Sequence, residues 1–168
     1  MKNINYYLIL FFIFFSTNLY ANNKVVFVDI DYLINNSTLG KQIINQLENE
    51  DKKNIDILKK RENSLKKLED EIKKKQNIIS NDELQKEVSI LKKKISEFKI
   101  EKNKMVKNFS NLKNEEINKL LIKMNKIIQD YMDENSIDIV FDKKKIYIGK
   151  SSIDITLKVL EDIENKLK

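Results

Sequence analysis

The stretch QNIISNDE, Gln76 to Glu83, decides how this chain folds, because it interrupts a helical pattern that otherwise runs from about Gly40 to Glu134. Ser80 or Asn81 can cap a new helix there, with Asp82 and Glu83 in its first turn. A side-chain oxygen at that position accepts an orphan backbone N–H, and negative charge complements the positive end of the helix dipole. A helix restarting at this point can fold back on the one before it.

The apolar positions on either side agree with such a fold-back. After the break, Leu84, Val88, Leu91, Ile95 and Phe98, then Met105, Phe109 and Leu112, recur at steps of four and three, the pattern of a coiled-coil seam. Before it, Ile43, Leu47, Ile55, Leu65, Leu68 and Ile72 are set to meet Ile117, Leu112, Met105, Ile95, Leu91 and Val88, and each pair of numbers sums to 159 or 160. The alternative, one continuous helix in an intermolecular coiled coil, leaves two capping residues in mid-helix without purpose. The fold-back gives an arm with about forty residues on each side, or ~60 Å at 1.5 Å per residue. Asp51 to Asn54 offer the seam nothing apolar and Lys102 interrupts it opposite, so a bending point is expected there. Beyond Leu112 the spacing slips and resumes at Ile117, Leu121, Met124, Ile128 and Tyr131, as if the second helix left the arm to enter another core.

The ends read differently. KVVFVDI, Lys24 to Ile30, has apolar and β-branched residues at adjacent positions, which suits a strand buried on both faces. Asp29 then ends the strand and Asp31 opens a short helix, rather than the pair seeding a metal site. Gly40 follows, able to take a left-handed conformation. SIDIVFDKKKIYIG, Ser136 to Gly149, alternates like a β-hairpin whose two arms, IDIVF and IYI, would pair with VVFVDI. A terminal amphipathic helix follows, with Thr156 as its expected N-cap. The expected fold class is therefore α+β. A small sheet body from residues 22–39 and 136–168 carries a long antiparallel helical hairpin arm, residues 40–135, turning near 77–83. So small a body without cysteine or histidine points to oligomerisation. Val26, Val28, Ile139, Phe141, Ile146 and Ile148 are expected to lie buried in its strands, some between subunits.

The first residues read as an export signal. Lys2 precedes ten strongly apolar residues from Tyr6 to Phe15, too few to cross a bilayer, and Ala21 offers a small residue at which to cut. An uncleaved anchor is the alternative. Cleavage leaves a mature chain from Asn22 with 31 basic and 26 acidic residues, net +5, destined for the periplasm. No cysteine, histidine, proline or tryptophan occurs in the 168 residues. The usual soft-metal ligands and nucleophile–base pairs are therefore missing, no phosphate loop can be built from two glycines, and neither an enzyme nor a cofactor is expected. The basic excess would attract acidic chains and, weakly, anionic membrane surfaces. Nucleic acid is not expected of an exported chain whose only arginine is Arg61. Along the arm, Lys73, Lys74 and Lys75 and again Lys92, Lys93 and Lys94 form runs that could touch such partners, although for either run alone a solvated helix face with pairs such as Glu71–Lys75 is the favoured reading. Ile90 and Ile100 lie off the seam and could add weak apolar contacts.

The ends together resemble the Skp (OmpH-like) family of periplasmic chaperones for outer-membrane proteins. VVFVDIDYLINNSTLGKQIINQLE, Val25 to Glu48, has that family's strand ending in Val-Asp, short helix and Gly-Lys at the start of the arm. IDIVFDKKKIYIGKSSIDITLKVLEDI, Ile137 to Ile163, has its strand–turn–strand, the triplet Asp154-Ile155-Thr156 and the last helix. The resemblance implies a homotrimer whose strands build a shared body, with three arms around a basic cavity that holds unfolded outer-membrane proteins without ATP. With one arginine, no lipopolysaccharide site built on arginine carries over. An exported coiled-coil spacer or adaptor of the cell envelope is the alternative.

Overall fold

The structure, a computed structural model, describes residues 23–167. The expected signal segment lies outside them. Strand β1 (Val25–Val28) leads through Asp29 into helix α1 (Ile30–Asn36), and Ser37 separates α1 from the long helix α2 (Thr38–Lys75). After the turn comes α3 (Asn81–Glu134), then β2 (Ile139–Asp142) and the terminal helix α4 (Thr156–Lys166).

Each helix start has a local cause. The Asp29 carboxylate accepts the Tyr32 amide N–H at 2.9 Å, so Asp29 caps α1. Ser37, fully buried, accepts the Gly40 N–H on its hydroxyl at 3.1 Å and caps α2. Ser80 caps α3 in a reciprocal capping box with Glu83. The fold-back read from QNIISNDE is thus made by Ser80. Gly40, by contrast, sits inside α2 and has no positive φ. Its requirement is space: a Cβ there would stand 1.9 Å from the Ile34 carbonyl oxygen, because α1 ends against α2 at this point. The left-handed residue among those described is Ser136, at φ 51°, just past the end of α3.

Helices α2 and α3 run antiparallel. Lys75 pairs with Glu87 at 3.1 Å and Arg61 with Glu101 at 3.6 Å, and both pairs of numbers sum to 162, flanking the expected seam. Leu47, Ile72 and Leu91 are buried in it. Ile55, expected opposite Met105, is exposed instead. At 38 residues α2 spans about 57 Å, and α3 at 54 residues about 80 Å. The surplus of α3 enters the body. Leu120, Met124, Ile127, Ile128 and Tyr131 pack there with Val26, Val28, Leu33, Ile137, Ile155, Val159 and Ile163. The re-aimed seam after Leu112 was legible from the sequence, although Leu120 and Ile127 were not among its expected members.

The sheet departs from expectation. β1 and β2 pair in parallel, Val25 opposite Ile139 through Val28 opposite Asp142. Parallel neighbours need a long crossover, and here the whole arm supplies it. The expected hairpin does not form within the chain. Asp142 accepts the Lys144 amide N–H at 3.1 Å and starts a single 3₁₀ turn over Lys143–Lys145, which carries the chain away from β2. IYI therefore makes no strand. Phe27 instead bridges Asp154 in parallel, and its carbonyl accepts the Ile155 N–H at 3.0 Å. Val26 and Val28 are buried within the chain, but Ile139 is 43% exposed, Phe141 46% and Ile148 85%, and Ile146 is only half-buried. The N-cap of α4 is Ile155 rather than Thr156, which is the first helical residue. The Thr156 hydroxyl is used elsewhere, as described below.

Candidate functional site

Two surfaces could carry function, the flank of the arm and the outer face of the body. On the arm, both lysine runs are exposed, but they differ in company. Lys73 binds Glu69 at 2.8 Å and Lys75 binds Glu87 across the hairpin, in place of the Glu71–Lys75 pair that spacing suggested. The hydrogen bond to Glu69 raises the Lys73 pKa, and the same bond lowers that of Glu69. Among the described residues, Lys92, Lys93 and Lys94 have no carboxylate within ion-pairing distance. Ile90 and Ile100 are more than half exposed, as their off-seam positions implied. Ile57, Val106 and Ile122 are exposed as well and were missed, although the same test of position against the seam would have found them. Near the root, Ile43, Gln46, Leu47, Glu50, Leu112 and Glu116 line a cleft of about 240 Å³ between the two helices.

The body is fastened by a polar node. The Asp29 backbone N–H donates to the Thr156 hydroxyl oxygen at 2.9 Å, and that hydroxyl donates to Asp154 Oδ1 at 2.5 Å. Asp154 Oδ1 also accepts the Thr156 backbone N–H at 2.9 Å, and Asp154 Oδ2 takes Lys143 Nζ at 3.2 Å. Lys143 reaches Asp29 as well, at 3.7 Å, and Lys144 pairs with Asp31. Burial alone would raise the Asp154 carboxyl, but the hydrogen bonds from Thr156 and Lys143 outweigh it and hold the group below the usual aspartate range. The Lys143 ammonium is raised, first by its hydrogen bond to Asp154. The node joins β1, the turn after β2 and the start of α4, three segments far apart in sequence. It fastens these segments to one another. No group of three or more His, Cys, Asp or Glu suited to a metal ion occurs among the described residues. Nor, among them, is any helix long and apolar enough to cross a membrane.

A long helical hairpin rooted in a small parallel-sheet body is the architecture these residues build. The chain belongs to the family described as "Outer membrane protein (OmpH-like)", whose model matches residues 24–163. Its fold is that of the crystal structure of a proposed outer membrane chaperone (OmpH-like) from Caulobacter crescentus CB15. The TM-score is 0.78 at 16% identity, over 87% of this chain and 86% of that one. No curated relative matches the chain.

Proposed function

We propose that this protein is an ATP-independent holdase of the periplasm, which keeps unfolded outer-membrane proteins from aggregating by holding them between helical arms. The observation that carries the reading is the arm itself. It is a hairpin about 60 Å long whose flanks expose isoleucines and lysines and which, among the described residues, packs against no other element along most of its length. Ile90, Ile100 and the lysines of the two runs are the proposed client contacts. Each is weak alone, and linked arms raise their effective concentration into useful avidity.

Three arms would come from a homotrimer. In support, Ile139 and Phe141 of β2 and Tyr147 and Ile148 beyond it are large apolar side chains left exposed on the body. Residues 136–168 and 22–39 would then build the shared body and residues 40–135 the arm, with export through a segment cut after Ala21. The experiment is light scattering of a denatured β-barrel membrane protein diluted into the mature chain, without nucleotide, beside a chain lacking Asp51 to Phe109. Protection by the intact chain alone is expected. Equal protection by both would put the binding surface on the body.

A further inference from the structure

The basic excess of this protein is not spread over it. Residues 52–67 of α2 carry seven basic and two acidic side chains, and residues 92–107 of α3 carry the same. The fold-back lays these two segments beside each other, so that a short length of arm holds net charge +10. The tip, residues 68–91, has four basic and six acidic residues, net −2. Residues 24–51 and 108–168 together have thirteen basic and sixteen acidic, net −3. A positive collar thus sits at mid-arm between two negative ends. All fourteen cations of the collar are exposed, and among the described residues only Lys53 and Arg61 of them have a carboxylate within ion-pairing distance.

The collar coincides with the least packed part of the arm. No residue is buried between Leu47 and Ile72 on α2, nor between Leu91 and Leu120 on α3. Like charges on facing helices repel, and here only a half-buried seam of Leu58, Leu65, Ile95, Phe98 and Met105 opposes them. An anion lying along the collar would remove the repulsion and hold the helices together.

We propose that the mid-arm collar is the binding surface for acidic stretches of an unfolded polypeptide, and that filling it orders this part of the arm. The inference rests on the holdase reading and specifies the chemistry of the client. The collar is about 24 Å long, the length of roughly seven extended residues. Ile57, Ile100 and Val106 are exposed within it, so an acidic stretch with apolar neighbours suits it better than a uniform polyanion. A flat anionic bilayer suits it less, because an arm approaching by its tip presents net negative charge first. The collar also separates the two lysine runs: Lys92 to Lys94 belong to it, whereas Lys73 to Lys75 stand in the acidic tip.

The test titrates charge in the full mature chain, with labelled poly-L-glutamate as the probe. Lys59→Gln, Lys66→Gln, Lys99→Gln and Lys104→Gln together take the collar from +10 to +6, and the four Glu replacements take it to +2. Glutamine and glutamate are good helix formers, and far-UV circular dichroism checks that helix is kept. Affinity should fall by about tenfold in the first variant and further in the second, and it should weaken with salt as the Debye length shrinks from ~10 Å at 0.1 M to ~3 Å at 1 M. Lys73→Gln, Lys74→Gln and Lys75→Gln together should leave it unchanged. Amide exchange over 52–67 and 92–107 should slow when the probe binds, and exchange at the tip should not. Equal loss in the tip variant, or no slowing in the collar, overturns the proposal. Tighter binding to phosphatidylglycerol vesicles than to poly-glutamate, lost in the same variants, overturns it in favour of a lipid surface. A wild-type chain that keeps a denatured β-barrel protein soluble but binds no poly-glutamate counts against the collar alone. One that binds poly-glutamate but protects no denatured protein counts against the holdase reading alone.

Discussion

The root of α3 and the middle of the arm are built from the same helix, yet they are held by different means. From Leu120 to Tyr131 the helix buries five large side chains against β1, α1 and α4, each contributing about 1.5–3 kcal/mol of transfer free energy. Between residues 92 and 107 the same helix only half-buries Ile95, Phe98 and Met105 and faces a partner of like charge. The contrast shows how one helix serves two tasks. Its root is an anchor made by apolar packing, and its middle is a polar rod whose stability depends on what lies beside it.

The comparison can be broken most directly at the root. Val28→Asp places an unpaired carboxylate in the body core and should cost about 3–5 kcal/mol, the scale for a buried charge without its partner. Chemical denaturation should show the body lost while helical signal from the arm partly survives. A variant of near wild-type stability would mean that β1 is not core. Gly40→Ala comes next. In an ordinary helix this change stabilises, but here the new Cβ would meet the Ile34 carbonyl oxygen, which is backbone and cannot swing aside. A loss of about 1–3 kcal/mol is expected, the usual scale of overpacking. Any gain in melting temperature would contradict the close approach.

Smaller effects sharpen the contrast within the arm. Amides from Asp51 to Asn54 and around Lys102 should exchange at least about tenfold faster than those from Leu120 to Tyr131. Equal protection would mean that the mid-arm is held by packing after all. Ser80→Ala removes one side of the capping box and should cost about 1 kcal/mol. Its effect should be confined to exchange at the tip, because the root has its own contacts.

The smallest effect concerns the polar node of the body. The Asp154 carboxyl is held below its ordinary value, so its contribution is complete above the unfolded value of about 3.9 and is lost as pH falls through the folded one. Lys143 is raised, so its contribution is present below its ordinary value and is lost only in strong alkali, as pH climbs through the folded one. Asp154→Asn should therefore flatten the acid limb of the stability curve below about pH 4 and leave the arm unaffected. An unchanged acid limb would remove the node as a fastening.

Several features could be read from single residues and their near neighbours. The Ser80 capping box, the seam through Leu47, Ile72 and Leu91, the buried face of VVFV and the re-aimed seam at Met124, Ile128 and Tyr131 all follow from spacing along the chain. The charged collar was equally present in the sequence, but it became a surface only once the fold-back set residues 52–67 beside 92–107. Among the proposed site residues, Ile90 and Ile100 were found by their position off the seam, and the same criterion holds for Ile57 and Val106.

What the sequence determined by itself is local: where helices start, which stripe they bury, and where the arm turns. These depend on side chains three or four residues apart, whose chemistry acts through the backbone between them. The tertiary structure decided what depends on segments more than a hundred residues apart. β1 and β2 run parallel because the long root of α3 carries the chain back past the body to the end where β1 begins, beside Lys24, and strand alternation alone carries no direction. IYI stays out of the sheet because the turn capped by Asp142 leads away, while Phe27 is bridged by Asp154. Gly40 is needed not for its own torsion but for a carbonyl six residues earlier, and Thr156 serves Asp29 and Asp154 instead of capping its helix. In each case the deciding partner is chosen by three-dimensional closeness, and the local pattern of residues is compatible with more than one choice.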